Sequence, residues 1–573
     1  MISAFKPVKK RINIPKIAIA LALLLCVNWL GSLILWRVDL TGDKRYTLSP
    51  VTKTFVADKL QDDLEVEIYL DGSVNPAFHR LEQAVVGMMK QFKALNKKHF
   101  SFEQIIIDKI NDEEARVALL KQLQERQLMP MNIIEEDMNG KRTEKAIYPW
   151  AIVRYKGRER SVKLLFNTNN RSGEENVNAS IENLEYQFTE AFRLLTDTQE
   201  RRVAFLEGHG ELGEAETYDI TTALSHYYSV DRGQIAMDAS VLDAYEAVII
   251  ANPIQAFSRE DKFVLDQYLM KGGKLLWLVD GVQMAMDSLT KAEANYGIYN
   301  DINVNDMLFR YGVRINPDLI QDMQCALYPV NIAGPGEAAR FQPLPWFYAP
   351  LLMPNQQHPI SKNTSNVKAE FASTIDLVGG DDKLKKTILL RSTAQSRVVK
   401  VPMEIDLGES VKNLKVEDFQ DGSQVAAVLL EGQFTSLFAH RGVPPGMQNA
   451  AAIQKESVPT KVIVIADGDL IRNDVRGYGE EVQVMPLGYD YATNQTLYGN
   501  RPFLLNAINY LTDEEGWYTL RQRSVKLRLL DVKEMERRVF YRVLNVALPL
   551  LIMLLLAVSL MYLRNRRYKR FKR

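Results

Sequence analysis

The sequence of 573 residues is 46% hydrophobic and 25% charged and contains two cysteines. This excludes a collagen-like, disulfide-rich or wholly disordered chain, and the length calls for roughly three or four structural units. The 71 basic and 71 acidic residues cancel, but 12 of the cations crowd the two ends: Lys6, Lys9, Lys10, Arg11 and Lys16, then Arg564, Arg566, Arg567, Lys569, Arg570, Lys572 and Arg573. Residues 17–563 therefore carry 59 cations against 71 acids, a net charge of −12 that disfavours a nucleic-acid partner.

Each basic end adjoins a long apolar run. Residues 17–36 (IAIALALLLCVNWLGSLILW) and 543–563 (VLNVALPLLIMLLLAVSLMYL) hold no ionisable side chain except Cys26 and Tyr562. As a helix, each is long enough to cross a hydrocarbon core of ~30 Å. The first run is longer than the ~7–15 residues of a signal-peptide core and no small-x-small cleavage site follows it. Leu25 before Cys26 argues against lipoprotein processing. Positive flanks stay cytoplasmic, so two inner-membrane spans are expected, with both termini in the cytoplasm and the large region between them in the periplasm of a Gram-negative cell. Membrane lipid is thus a partner. Asn28 and Asn545, uncommon inside spans, are candidates for helix-to-helix hydrogen bonds or for solvated positions near an interface.

Between the spans the pattern is α/β. Ser49-Pro50 reads as the N-cap and first position of a short helix to about residue 60. Apolar spacing then predicts a strand over 64–70, a helix over 76–97, a strand over 102–107, a helix over 112–127, and a hairpin of 146–155 with 160–166 around Lys156-Gly157. This order suggests a thioredoxin-like unit over 37–198. Thioredoxin chemistry needs a Cys-x-x-Cys pair at the first helix N-terminus, and 71–78 read DGSVNPAF, so the unit is a scaffold. Polar residues 167–178 read as a loop, and 179–197 as a helix leading into a second unit over 199–515. Its apolar strands 202–206 (RVAFL), 247–251 (AVIIA) and 274–279 (KLLWLV) are separated by helical stretches at 216–228 and 258–270, which is parallel-sheet grammar. Runs at 387–390, 425–430 and 461–466 supply further strands, and 502–511 a late helix. The Pro-, Gly- and aromatic-rich 334–358 and the Gly-, Pro-, Ala- and Gln-rich 434–458 read as surface loops. Residues 516–542 are a juxtamembrane segment, amphipathic and helical over 527–541.

Glu207-Gly208-His209-Gly210-Glu211 stands where the first strand of the second unit ends, the edge at which ligands gather in open α/β sheets. His209 with Glu207 and Glu211 is a donor set for a divalent metal or a proton relay. A zinc site needs more nitrogen or sulfur ligands, and only His226 is near in sequence, so a structural loop or subunit contact is the favoured reading. Asp467-Gly468-Asp469, followed by Asn473-Asp474, has the spacing of a Mg²⁺ or Ca²⁺ loop but also that of an ordinary Asp-Gly turn, which is favoured. Glu207, Gly208, His209, Gly210, Glu211, Asp467, Asp469 and Asn473 are the candidate ligand or partner contacts; no catalytic residue, cofactor or metal is expected. The chain has no Gly-x-x-x-x-Gly-Lys-Ser/Thr, Gly-x-Ser-x-Gly or His-Glu-x-x-His, so any ATP hydrolysis that drives the system belongs to another subunit.

DLTGDKRYTLSPVT (39–52), IYLDG (68–72), NASIENLEYQF (178–188), FLEGHGEL (205–212), ADGDLIRND (466–474) and YGNRPFLLNAINYL (498–511) resemble, in matching order, the gliding-motility ABC-transporter auxiliary family GldG of Bacteroidetes. The resemblance implies a large domain similar to class I glutamine amidotransferase-like, flavodoxin-like folds and to a domain shared with an intraflagellar-transport protein. The amidotransferase nucleophile, a cysteine on a sharp turn after a central strand, has no counterpart, because 274–279 is followed by Asp280-Gly281-Val282 and Cys325 is distant. The resemblance also implies a polytopic ABC permease as partner, a cytoplasmic ABC ATPase reached through it, and a role in gliding linked to type 9 secretion; a homodimer within the complex is a further partner to be weighed, a 1:1 and a 2:2 complex both being open. The expected function is a non-catalytic, periplasm-facing subunit of that complex whose ectodomain binds a partner or substrate. A periplasmic solute or glycan receptor, and an envelope hydrolase using Glu207, His209 and Glu211, are the alternatives from other classes.

Overall fold

The computed structural model describes residues 47–136, 142–166, 172–197, 200–286, 289, 295–333, 338–379, 383–406, 408, 414–450, 452–477, 483–522 and 538–570. The first apolar run, with Asn28, lies outside the described residues, as do 527–537 of the expected juxtamembrane helix.

The first lobe is built on a four-stranded sheet. Strand β1 (Leu64–Ile68) precedes helix α1 (Pro76–Leu95), strand β2 (Phe100–Gln104) and helix α2 (Glu113–Glu125). Strands β3 (Met131–Glu136), β4 (Arg142–Ile147), β5 (Trp150–Tyr155) and β6 (Arg158–Lys163) follow, then helix α3 (Gly173–Thr196). The sheet order is β2-β1-β5-β6, with β1 parallel to β2 and antiparallel to β5. Alternation in β1 puts Leu64, Val66 and Ile68 inward, and α1 meets them with Phe78, Leu81, Val85, Met89 and Phe92 at helical spacing. Asn75 starts α1 by accepting the N–H groups of Ala77 and Phe78, both at 3.0 Å, with Pro76 at the first position.

Two expectations change here. The first strand of the expected hairpin divides: β4 pairs with β3, while β5 pairs with β6. Helix α3 begins six residues before the expected 179, inside the polar stretch assigned to a loop. Ser172 and Glu175 form a reciprocal capping box, and Asn176 and Asn178 are buried on the inner face, so hydropathy hides the first turn.

The second lobe contains strands β7 (Arg202–Glu207), β8 (Ser229–Gln234), β9 (Ala247–Ala251) and β10 (Lys274–Leu278), with helix α4 (Tyr218–Ser225) before β8 and α5 (Arg259–Met270) before β10. Strands β11 (Cys325–Asn331), β12 (Phe341–Pro354), β13 (Leu384–Arg391), β14 (Val425–Gly432) and β15 (Thr460–Ile465) follow, then helix α6 (Asn500–Leu511). One sheet joins them in the order β11-β12-β13-β14-β15-β10-β9-β7-β8. The five strands β8-β7-β9-β10-β15 are parallel, and the remainder extends antiparallel from β15. The central strands are apolar without a break because both faces are covered. Ile249, Leu276 and Ile463 pack with Ile220, Leu224, Phe503 and Ile508 of α4 and α6, while Val248, Leu275 and Val462 pack with Val264, Leu265 and Leu269 of α5.

The expected loop over 334–358 is corrected by β12. Trp346 and Tyr348 point into one core while Phe347 packs on Phe419, and this burial of aromatics on both faces of the strand outweighs the prolines beside them. Strand β8 (SVDRGQ) is polar and escaped the apolar-run criterion.

The first lobe and the second lie in one compact unit ending at residue 524. After α6, the Asp513 carboxylate accepts the N–H groups of Gly516 and Trp517 at 3.1 Å and of Tyr518 at 2.8 Å. The turn over Trp517–Gln522 then buries Trp517, Tyr518 and Leu520 in the first-lobe core. Helix α7 (Arg538–Arg570) belongs to a separate unit. Its stretch Val539–Arg564, with mean hydropathy 2.6, is the one helix among the described residues long and apolar enough to cross a membrane; Asn545 lies on it.

Candidate functional site

The chain runs from β7 outward to β8 and then crosses back to β9, so the topological switch point lies between the carboxyl ends of β7 and β9. The loop Glu207 to Glu211 stands there, as the sequence placed it, but its own side chains fill the crevice. His209 is 6% exposed and stacks on Phe257 with ring centroids 3.7 Å apart. Its Nδ1 lies 3.1 Å from Glu211 Oε1 and its Nε2 3.2 Å from Asp261 Oδ2. Its carbonyl accepts the N–H groups of Ile254 and Gln255, at 2.9 and 2.8 Å. Gly210 has φ +73°, and a Cβ there would come within 2.5 Å of Ile254 Cγ1, so close packing and conformation both require glycine. Glu207 is held 2.7 Å from Arg232, which also donates to Thr217 Oγ1 and the Leu212 carbonyl.

Burial alone would lower the His209 pKa, but its hydrogen bonds to Asp261 and Glu211 outweigh it and hold the value up at about 9. The result is an imidazolium clamped by two carboxylates. His226 is not among its partners in the described residues. Among those residues, no group of three or more His, Cys, Asp and Glu is arranged to hold a metal ion.

The second flagged stretch follows β15. Asp467 Oδ1 accepts the N–H groups of Asp469 and Leu470 at 2.8 and 3.0 Å, and its Oδ2 accepts that of Glu370 at 2.9 Å. Asp280, after β10, accepts the Gly468 N–H at 2.5 Å, and Asn252, after β9, donates to Asp469 at 3.2 Å. A Cβ on Gly468 would strike the Asn252 side chain. Burial, reinforced by repulsion from Asp280, pushes Asp467 and Asp469 well above the usual carboxylate range. Burial likewise raises Asp280, to about 7. Asn473 is a clamp: its Oδ1 accepts the Asp219 N–H at 3.0 Å and its Nδ2 donates to the Met485 carbonyl at 2.7 Å.

Beside this turn opens a cavity of about 600 Å³ that includes Asp469 and Asn473 in its wall. Most of its other groups come from elements distant in sequence. Lys368 Nζ sits 2.7 Å from Glu370 and lies 5.1 and 5.8 Å from the ring centroids of Tyr328 and Tyr491. The Tyr328 hydroxyl donates to Glu370 and that of Tyr491 to Asp474. Arg476 stacks 4.4 Å from the Tyr491 ring, and Arg472 lies 3.3 Å from Glu216 and 3.5 Å from Asp469. Burial opposes charge on both Lys368 and Glu370, yet their mutual attraction keeps the lysine pKa above its ordinary value and the glutamate pKa below. Sequence reasoning flagged only the 466–474 part of this wall; Tyr328, Lys368 and Tyr491 carry no spacing signal. Cys325, at the start of β11, has its thiol pushed up to about 12 by burial, which removes it as a nucleophile at neutral pH.

Comparison with known proteins bears on the same region. Residues 200–507 match the family described as ABC-type uncharacterized transport system, and residues 42–154 match a domain of unknown function, DUF7088. No curated protein matches the chain. A solved structure titled "mmIFT52 N-terminal domain" is similar over 55% of this chain and 98% of its own, at 14% identity and a TM-score of 0.31.

Proposed function

The chain belongs to the ABC-type uncharacterized transport system family, as an auxiliary protein associated with a transporter, and from that premise we propose that it is the non-catalytic, membrane-anchored subunit of an ABC complex of the GldG type. In this reading the spans over 17–36 and 543–563 pack on a polytopic permease in the inner membrane, and a cytoplasmic ATPase is reached through that permease. Both termini are cytoplasmic, and the region between the spans faces the periplasm. Its role is in gliding motility, with a link to type 9 secretion, and its ectodomain binds a partner or substrate.

The observation that carries this reading is the family match over 200–507 in a chain that also bears a 26-residue apolar helix. The parallel strand order β8-β7-β9-β10-β15 supports an amidotransferase-like, flavodoxin-like unit over 199–515. The β2-β1-β5-β6 sheet supports a thioredoxin-like unit over 37–198. The closed loop at Glu207, Gly208, His209, Gly210 and Glu211 and the high thiol pKa of Cys325 support a binding role over hydrolysis. Asp467, Asp469 and Asn473, beside the open cavity, are the contacts proposed for a ligand or partner. The test is a mild-detergent pull-down of the full-length protein from native membranes, with mass spectrometry and an ATPase assay on the eluate. A permease and an ATPase recovered in fixed ratio are expected; recovery of the protein alone, or with envelope enzymes only, overturns the reading.

A further inference from the structure

We propose that the groove between the short helix Asn305–Tyr311 and residues 436–441 is a docking site for an acidic peptide segment of a partner protein, one that carries a large apolar side chain. The inference goes beyond the transporter reading, since it requires neither permease nor ATPase. The groove shares no wall residue with the cavity at Asp469 and Asn473.

The groove is preformed. The short helix buries Met307, Leu308 and Tyr311 and leaves Phe309 and Arg310 exposed on the groove wall. Beneath it the fully buried Asp266 accepts the Tyr311 hydroxyl at 2.9 Å, the Ser436 hydroxyl at 2.6 Å and the Leu437 N–H at 2.8 Å. One carboxylate thus ties both walls together, and a partner meets them already in place.

Shape and polarity set the form of the occupant. The groove has a volume of about 920 Å³ and mainly apolar walls, in which Phe309 is 55% and Tyr299 40% exposed. It is open to solvent, whereas a small-molecule site encloses most of its ligand. A chain segment that lays apolar side chains into the groove and continues past it fits this shape, and exposed aromatic rings are the usual anchors of such contacts.

Charge sets its sign. Arg310, Arg314 and Arg441 share the wall with a single acid, Asp306. Asp306 is already held by Lys262 at 2.9 Å and Arg441 at 3.4 Å. Arg314 meets Asp376 in a pair exposed on both sides, which costs little to open. Arg310, exposed in the last turn of the short helix, has no carboxylate partner among the described residues. The wall and its ion partners therefore hold four cations against two acids, and Asp301 beside Tyr299 still leaves an excess of cations. On a body whose net charge over 17–563 is −12, this local excess selects an acidic segment over a basic one.

The test pans a phage-displayed library of random linear peptides against the full-length protein in detergent micelles, with empty micelles as counter-selection. The selected peptides are then measured by fluorescence polarisation. They are expected to be net acidic, to carry a large aromatic or aliphatic residue, and to bind saturably but more weakly at high salt. Their affinity should fall about tenfold or more for Phe309→Ser and for Arg310→Glu. Both side chains are exposed, so neither change should unfold the protein, and the unfolding temperature of each variant verifies this. The proposal is overturned if no peptide is selected, if the selected peptides are neutral or basic, or if their binding is indifferent to both substitutions. It is also overturned if decanoate, a small amphipathic anion, binds in a manner sensitive to these substitutions and no peptide does. The pull-down of permease and ATPase is read separately, so either idea can fail while the other stands.

Discussion

His209 shows how a residue chosen for its chemistry turns out to serve the fold. A histidine between two glutamates at a strand end was legible as a polar cluster, but Phe257 and Asp261, which close it, come from the far side of β9 and could not be associated with it by spacing. The clamp has a pH signature. The folded pKa of about 9 stands above the ordinary 6.5, so its contribution to stability is complete below pH 6.5 and is lost as pH rises through 9. The unfolding temperature of the native protein is therefore expected to fall between pH 7 and 9.5, and His209→Gln to flatten that part of the curve, as differential scanning fluorimetry would show. Equal slopes in the two proteins would mean that His209 is not held as an imidazolium. Asp467 and Gly468 are the opposite case. The Asp-Gly pair was readable as a turn, and it is one, because Asp467 accepts the N–H groups of Asp469 and Leu470, two and three residues on.

At the scale of elements, the legible parts were those whose burial pattern is simple. The apolar strands β9, β10 and β15, covered on both faces, and the amphipathic α1 and α5 stood near their expected positions. The start of α3, the polar β8 and the proline-bearing β12 were hidden because a capping box, an edge position and alternating aromatics determine them, and none of these raises local hydropathy. The turn Trp517–Gln522 ties the chain that leaves the second lobe into the first-lobe core. Trp517 is 4% exposed and meets Phe55 edge-to-face at 5.3 Å, although it follows the last helix of the other lobe. Trp517→Ala should cost about 3–5 kcal/mol, the usual range for emptying such a site, and should appear as earlier thermal unfolding of the first lobe. Trp517→Phe, which keeps an aromatic ring against Phe55, should retain most of the native stability. An alanine variant as stable as the native protein would show that the turn is not part of that core.

At the scale of the molecule, the orientation proposed above predicts a protection pattern. Proteinase added to spheroplasts should cut within 47–522 and spare the basic tail beyond residue 564, whereas lysed vesicles should lose both. Cleavage of the tail in intact spheroplasts would reverse the topology.

The two crossings between the lobes have a further consequence. The chain enters the second lobe at Arg201 and leaves it at Thr512, and Arg201 donates to the Thr512 carbonyl at 2.9 Å, so entrance and exit share one doorway. The first lobe begins the described region and, through Trp517–Gln522, also receives the chain on its return. Everything from β7 to α6 is therefore an excursion of the chain that begins and ends at one point beside the first lobe, so a single contact, Arg201 to Thr512, fixes the spacing of both strands of the crossing.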